Sequence, residues 1–254
     1  MLEYDLHTHS TYSDGSDLRS MIEAAREAGL SGIGVTDHCT LIDDDFGRSD
    51  RFDLEDTYED RRREIEALRD EVDLEIYDGV EVCYSPAIED RISTFLDEAS
   101  FDYAIGSVHF ADGYDFTTGA GTGSTSDERR AAVDRYFERQ IDLVESGLFE
   151  VIAHVDLPNR LPALRDLATE AHYRRLADAL DGSRTVPEIN AGRVRRDYGD
   201  IHPNRAYLDA FDGLPFVASS DAHRPHEVGP RVAVLDDVFE EYGLTRLDPG
   251  ELPA

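Results

Sequence analysis

The sequence contains 254 residues, of which 25 are basic and 56 are acidic, so its formal net charge at pH 7 is −31. A surface this negative repels phosphate backbones and anionic lipids, which argues against nucleic-acid wrapping or membrane docking as the main role. The length suffices for one large domain or two small ones, and a hydrophobic content of 40% is typical of a globular chain rather than a disordered acidic tail.

Short apolar or β-branched runs alternate along the chain with longer amphipathic segments. The predicted strands are, in chain order, Leu2–His7, Gly32–His38, Leu74–Val82, Tyr103–His109, Val151–Val155, Thr185–Asn190 and Pro215–Ser220. The predicted helices occupy residues 17–30, 54–72, 87–99, 126–147 and 162–182, with Ser126 as the N-cap of the fourth. Seven strand–helix alternations in a chain of this size predict an α/β fold whose parallel units close into a barrel.

No linker rich in proline, glycine or serine separates two halves of the chain. We therefore predict a single domain over residues 1–254, with a core of about residues 2–235 and a C-terminal tail of about residues 243–254. The one low-complexity segment, Thr117–Ser126, lacks the Gly-Lys-Ser/Thr ending of a phosphate-binding loop. A flexible connection is the preferred interpretation of this segment, and a lid over the site is the alternative.

All 25 basic residues are arginine, and lysine does not occur. Together with the acid excess, this composition predicts a cytoplasmic protein of a halophilic organism, in which high salt screens the self-repulsion of the surface. The two cysteines, Cys39 and Cys83, are predicted to be reduced, since nothing resembles a disulfide framework. Neither a signal peptide nor a membrane-spanning run is predicted.

Histidines and carboxylates collect where the predicted strands end. Six of the nine histidines lie at these strand ends or just beyond them, namely His7, His9, His38, His109, His154 and His223. The accompanying carboxylates are Asp14, Asp37, Glu81, Asp156 and Asp221. In a β–α barrel the strand ends converge on one face, and side chains two residues apart on an extended chain point to the same side. Imidazole and carboxylate groups are the usual ligands of transition-metal ions, so this pattern predicts a metal cluster.

Six motifs carry a resemblance to a known superfamily. They resemble, in content and in order, the motifs of the polymerase-and-histidinol-phosphatase (PHP) superfamily of metal-dependent phosphoesterases. The six motifs are DLHTHSTYSDGS, GVTDH, GVEV, GSVH, AHVD and SSDAH. The resemblance runs from Asp5 to about Gly229, and the segments FDYAIGSVHFADGYDF, EINAGRVRRDYGDIHP and SSDAHRPHEVG are most similar to histidinol-phosphatases. It implies a distorted, TIM-like (β/α)7 barrel, in agreement with the strand count obtained from the alternation alone.

The resemblance also implies two to three divalent ions held by this chain's matching residues. The first site would use His7, His9, Glu81 and Asp221, the second Glu81, His109 and His154, and the third Asp14, His38 and His223. Many histidinol-phosphatases carry histidine where Asp14 stands. This difference leaves open whether the third site holds an ion and which class of phosphate ester in the superfamily is the substrate. Manganese, iron and zinc all accept such mixed nitrogen and oxygen ligands.

The resemblance implies hydrolysis of a phosphate ester, and the charge of that substrate class explains why metal ions are needed. A phosphate monoester is a dianion, and its hydrolysis needs neutralising cations and a hydroxide at neutral pH, which closely spaced divalent ions supply. We predict a phosphatase for a small phosphorylated substrate, and the resemblance implies L-histidinol phosphate, converted to L-histidinol in histidine biosynthesis. The alternatives are a nucleotide-directed phosphoesterase, such as a bisphosphate nucleotide 3′-phosphatase, which Asp14 favours, and a non-catalytic metal-binding scaffold.

Two arginines are predicted to bind the substrate phosphate. Arg160 follows the AHVD motif, and Arg195 stands where the family has a basic residue; a guanidinium fork fits a pair of phosphate oxygens. Arg193 replaces a small residue of the family pattern, and its role stays open. The proton for the leaving group could come from Asp14, from His223 or from a metal-bound water.

The remaining polar residues of these segments have less specific interpretations. Asp37 and Asp156 are expected to support neighbouring ligands, and Glu188 with Asn190 could contact polar groups of the substrate. His172 lies within a predicted helix and is expected to be exposed. His202, before Pro203, is expected to cap a helix or to face solvent.

Overall fold

The computed structural model describes residues 1–42 and 52–253, so residues 43–51 and 254 of the predicted domain lie outside the described residues. The strands are β1 (Tyr4–Thr8), β2 (Gly32–Val35), β3 (His38–Cys39), β4 (Glu75–Cys83), β5 (Tyr103–Ser107), β6 (Phe110–Ala111), β7 (Tyr114–Asp115), β8 (Val151–Ile152), β9 (Val186–Asn190) and β10 (Val217–Ser219). The α-helices are α1 (Leu18–Glu27), α2 (Leu54–Arg69), α3 (Glu89–Ala99), α4 (Ser126–Ser146), α5 (Glu170–Leu180) and α6 (Pro225–Tyr242).

The main sheet is parallel and has the order β1-β2-β4-β5-β8-β9-β10, with β3 also paired to β4. Its two edges approach each other beyond β1 and β10, where His9 N donates to Ala222 O at 2.9 Å and Asp221 N donates to His7 O at 2.8 Å. The result is a nearly closed barrel of seven parallel strands with helices between them, which confirms the predicted TIM-like fold. Strands β6 and β7 form a separate antiparallel hairpin.

The strand residues are buried because helices cover the outside of the barrel and side chains fill its inside. Leu6, Ile105, Val151, Val186 and Val217, drawn from five strands, meet in one hydrophobic cluster. A larger cluster joins the outward strand residues to the apolar faces of the helices. None of the described helices combines the length and the apolarity that a bilayer crossing requires.

Three differences from the predicted helices have a local cause in the sequence. Helix α4 begins after Thr125, not Ser126, because Thr125 and Glu128 form a reciprocal capping box. The segment predicted as a helix over 162–182 becomes helical only at Glu170, since Asp166 adopts a left-handed φ of 64°. Helix α6 was absent from the prediction, because Gly229 and Pro230 near its start weaken the helical pattern.

Candidate metal centre

The end of the barrel where the strands finish brings the predicted ligands together. His7 lies on β1, Glu81 on β4 and His38 on β3, while the other six ligands follow β1, β5, β8 and β10 in the adjoining segments. Because the strands are parallel, all their carboxyl ends open at the same rim, and no long-range loop is needed to assemble the cluster. The predicted convergence of these side chains is therefore present in the structure.

Glu81 is buried at the centre of this cluster, and both of its carboxylate oxygens face imidazoles. Its Oε1 lies 3.1 Å from His154 Nε2 and 3.6 Å from His109 Nε2. Its Oε2 lies 2.5 Å from His38 Nδ1 and 3.5 Å from His7 Nε2. One carboxylate thus contacts two sets of nitrogen donors, as a bridging ligand between two cations requires.

A second set of contacts lies on the side of the cluster nearer β10. His9 Nε2 is 3.4 Å from Asp221 Oδ1. Asp14 Oδ1 is 3.2 Å from His223 Nε2 and 3.6 Å from His38 Nε2. Asp14 therefore lies among histidines, as the predicted third site requires.

The donor set fits divalent cations. Three groups of potential ligand atoms each fall within 4.8 Å of one another: His9, Asp14, His38 and His223; His7, His9 and Glu81; His38, Glu81 and His109. The potential ligand atoms also lie close together in pairs; for example, His7 Nε2 is only 3.1 Å from His9 Nε2. Gly192 leaves room beside the cluster, because a Cβ there would come within 2.5 Å of Asp221 Oδ2.

Charge and burial set the protonation of these rings. Burial and the charges of His223 and His38 lower the pKa of His9 to about 4, and burial lowers the pKa of His109 to about 3 against the effect of Glu81. Both rings are therefore neutral near pH 7, the form in which imidazole binds metal. Burial opposes a charge on His7 as well, but Glu188 and Glu81 outweigh it and hold its pKa well above the usual range. The same carboxylates favour a cation beside this ring.

Glu188 lies behind His7 rather than in the substrate cavity. Its Oε2 is 2.9 Å from His7 Nδ1, and its Oε1 accepts from the backbone N of His154 at 2.7 Å and from Asn190 Nδ2 at 2.7 Å. These bonds fix the His7 ring with Nε2 toward Glu81. The prediction that Glu188 and Asn190 contact the substrate is wrong, because both side chains are buried and neither lines the cavity.

Asp37 supports the loop that carries Asp14, as expected of a group beside the ligands. It accepts hydrogen bonds from Ser10 N at 2.6 Å, Ser10 Oγ at 2.7 Å and Ser13 Oγ at 2.7 Å. Arg61, which is fully buried, donates to Asp37 at 3.2 Å and to Asp78 at 2.6 Å. Burial alone would raise the pKa of Asp37, but Arg61 and the serine hydroxyls hold it below its usual value.

A cavity of about 220 Å³ opens onto the cluster, and two arginines form part of its wall. Arg160 lines it, and its predicted contact with phosphate stays a prediction; the second arginine of the wall is Arg193, whereas Arg195 is exposed and outside the cavity lining. The loop after β9 turns so that position 193 faces inward and position 195 faces solvent. Burial and the neighbouring charge of Arg193 lower the pKa of Arg160 to about 10, as two like charges facing one cavity would.

Two further histidines occupy places that the sequence did not indicate. His202 is buried at 1% exposure and lines the same cavity, so the expectation of capping or solvent contact is wrong. Its backbone exchanges hydrogen bonds with Asn190, and these place the ring in the cavity wall. Sequence periodicity cannot predict such a contact. The side chain of His172 is only 14% exposed and bonds Asp134 at 2.8 Å, so the expectation of an exposed ring is also wrong.

The cysteines and the low-complexity segment complete the surroundings of the centre. Cys39 and Cys83 are buried and are not joined by a disulfide, and their reduced state stays a prediction. Thr117, the first residue of the low-complexity segment, lines the cavity, and Asp115 Oδ1 accepts from its backbone N at 2.7 Å. The segment therefore starts at the wall of the cavity.

Comparisons with known proteins agree with this geometry. A family model described as the PHP domain matches residues 5–191. A Deinococcus radiodurans protein named "Probable histidinol-phosphatase" is 30% identical over 237 residues, covering 90% of this chain and 89% of that protein. The Bacillus subtilis protein named histidinol-phosphatase is 26% identical, over 90% and 96% of the two chains. The solved structure of a Lactococcus lactis histidinol phosphate phosphatase with zinc, L-histidinol and phosphate has a TM-score of 0.77 at 20% identity, covering 96% of this chain and 95% of that one.

Proposed function

Because this chain belongs to the PHP domain family, we propose that it is a metal-dependent phosphatase whose preferred substrate is L-histidinol phosphate. The observation that supports this most strongly is the cluster of imidazoles around the buried carboxylate of Glu81, beside a cavity that holds two arginines. The similarity to proteins named histidinol-phosphatase supports the choice of ester. Histidine biosynthesis is the corresponding role.

Two to three divalent ions, manganese, iron or zinc, would be held by nine residues. These are His7, His9, Glu81 and Asp221 for the first ion, Glu81, His109 and His154 for the second, and Asp14, His38 and His223 for the third. When bound, such ions neutralise the phosphate dianion and supply a nucleophile at neutral pH.

The chain's own residues then bind and orient the ester. Arg160 and Arg193 face the cavity with their charges unneutralised by any carboxylate bond among the described residues, so they bind the phosphoryl oxygens. Asp14 and His223 lie 3.2 Å apart at the cavity wall, and in a centre that holds only the first two ions they would be free of metal and would transfer a proton to the leaving alkoxide. Arg195 has no part in this proposal, because its side chain faces solvent.

A neighbouring cavity favours a second candidate function. It has a volume of about 260 Å³, and its charged lining comprises four arginines and three carboxylates, namely Arg193, Arg196, Arg224, Arg231, Asp14, Asp221 and Glu227. Arg196 and Arg231 pair with Glu227 at 3.0 and 2.8 Å, so Arg193 and Arg224 are the guanidinium groups of this cavity with no carboxylate partner among the described residues. These two groups suit a substrate with a second anionic group. The alternative is therefore a nucleotide-directed phosphoesterase that acts on a bisphosphate nucleotide.

A substrate panel after metal removal tests these proposals. The chelated protein is expected to release no phosphate, and manganese, zinc or iron should each be tried for recovery at low and at high salt. We expect L-histidinol phosphate to show the highest kcat/KM, ahead of adenosine 3′,5′-bisphosphate and adenosine 5′-phosphate. A preference for the bisphosphate would favour the nucleotide-directed alternative. No activity with any of the three metals would contradict a phosphatase and favour a scaffold.

Glu188→Gln is expected to weaken divalent-ion binding by about 10- to 100-fold, the usual effect of removing a partner that orients a metal-binding histidine. The amide loses the charge that holds His7 Nδ1, so the ring is no longer fixed with Nε2 toward Glu81. Titration calorimetry with zinc or manganese measures the change.

Glu150→Gln provides the matched control for this substitution. Glu150 also accepts a backbone hydrogen bond, from Ala104 N at 2.8 Å, but it precedes β8 and so lies at the opposite end of the barrel. Its substitution should leave metal affinity unchanged. Equal affinities of the Glu188 variant and the unmodified protein would refute the orienting role.

A further inference from the structure

A buried histidine–aspartate pair lies beside the metal cluster and has no part in it. His202 Nδ1 hydrogen-bonds Asp156 Oδ1, and both side chains are almost completely buried. The other oxygen of Asp156 accepts from Tyr173 Oη at 2.8 Å, from Asn204 N at 2.9 Å and from Asn159 Nδ2 at 2.9 Å. Four donors thus hold this carboxylate in one orientation.

The ring of His202 is held as firmly as its partner. Its backbone exchanges two hydrogen bonds with Asn190 at the end of β9, at 3.0 and 2.8 Å. The ring of Tyr198 stacks on it with centroids 4.9 Å apart and an interplanar angle of 20°. These contacts leave the imidazole with one orientation and place it in the wall of the cavity that opens onto the metal cluster.

The second ring nitrogen of His202 has no hydrogen-bond partner among the described residues. Nε2 is buried and makes no hydrogen bond within residues 1–42 and 52–253. A buried polar atom without a partner destabilises the fold, and such atoms in native proteins call for an explanation. Since the ring borders the substrate cavity, a bound molecule can supply the missing hydrogen bond.

The hydrogen bonds around Asp156 define what His202 offers to that molecule. Every neighbour of Asp156 donates to it, so its carboxylate acts as an acceptor and His202 Nδ1 carries the proton. In an imidazole whose single proton is on Nδ1, Nε2 is an acceptor. The ring that borders the cavity therefore offers a lone pair at Nε2.

We propose that His202 Nε2 accepts a hydrogen bond from an N–H or O–H group on the organic part of the substrate. Arg160 and Arg193, which share the cavity, can only donate, so an acceptor at this place selects esters whose alcohol carries a donor. The ammonium and imidazole N–H groups of L-histidinol phosphate meet that requirement. His202 is thus a specificity-determining residue, an assignment that rests on the proposed phosphatase function.

The variants His202→Asn and His202→Gln distinguish the role of Nδ1 from the role of Nε2. The asparagine amide can keep the bond to Asp156 but has no atom at the Nε2 position, whereas the glutamine side chain can place a carbonyl oxygen there. With L-histidinol phosphate we expect kcat/KM to fall by about 10- to 100-fold in the asparagine variant and less in the glutamine variant. With phenyl phosphate, whose alcohol part has no donor besides the ester, both should stay within about threefold of the unmodified enzyme.

His172→Asn is the matched control, because His172 also pairs with a carboxylate, Asp134, but lies outside the cavity lining. It should not change the ratio of the two kcat/KM values. Circular dichroism and thermal unfolding verify that each variant is folded. If the His202→Asn variant lost equal kcat/KM on both esters, or lost none on either, the role assigned to His202 would be wrong. The proposed phosphatase function would be unaffected by either result. An unmodified enzyme that hydrolyses neither ester would overturn the phosphatase function and this inference with it.

Discussion

Replacement of Glu81 by glutamine is expected to lower kcat/KM for phosphate-ester hydrolysis by more than about 100-fold, beyond the effect of losing a partner that only supports a metal ligand. The carboxylate contacts imidazoles through both oxygens, at 2.5 Å from His38 and 3.1 Å from His154. An amide is neutral, and its NH2 group would face these ring nitrogens. Phosphate-release assays and the metal content of the purified variant measure the two consequences.

Glu75→Gln is the control for this substitution, since Glu75 lies on the same strand, β4, at its exposed opposite end. It should retain full activity and full metal content. If the Glu81 variant kept more than about a tenth of the activity of the unmodified enzyme, the central role of this carboxylate would be wrong.

Replacement of Arg61 by methionine is expected to lower the free energy of unfolding by about 3–5 kcal/mol, the usual cost of removing one partner from a buried ion pair. Asp37, now 3.2 Å from Arg61, would remain buried without its cation, and Asp78, now 2.6 Å from Arg61, would keep only its ion pair with Arg62. Methionine keeps much of the apolar stem, so the loss reports charge and hydrogen bonding rather than volume. Urea unfolding followed by circular dichroism gives the value.

Arg63→Met gives the comparison on the same helix. Its side chain is 67% exposed and pairs with the exposed Asp60, so the free energy of unfolding should change by less than about 0.5 kcal/mol. Similar values for the two variants would show that the Arg61 network contributes no more than a surface ion pair.

The barrel and the convergence of the candidate metal ligands were predictable because both follow from local rules. Apolar runs separated by amphipathic segments specify parallel strands, and parallel strands place residues such as Glu81 and His154 at one rim whatever the detailed packing. Spacing by two residues specifies that His7 and His9 share a side. To predict the cluster, it was therefore enough to know where each strand ends.

The cavity wall could not be predicted in the same way, since loops have no side-chain period. One turn after β9 decides that Arg193 faces the cavity and Arg195 faces solvent. His202 enters the wall through backbone bonds to Asn190, a contact made by tertiary folding alone. The adaptation to high salt, drawn from composition, stays a prediction that activity measured against salt concentration will test.

The seam between the first and last strands has a consequence for how the enzyme matures. Ser220 N donates to Asp5 Oδ1 at 2.8 Å, and Asp221 N donates to His7 O at 2.8 Å, so the beginning of the chain and its last fifth complete the same rim. A ribosome must release the polypeptide through β10 and His223 before the centre can be assembled. The group of potential ligands that includes His223 is therefore completed last, and a protease that removes the first nine residues would take members from two of the three groups.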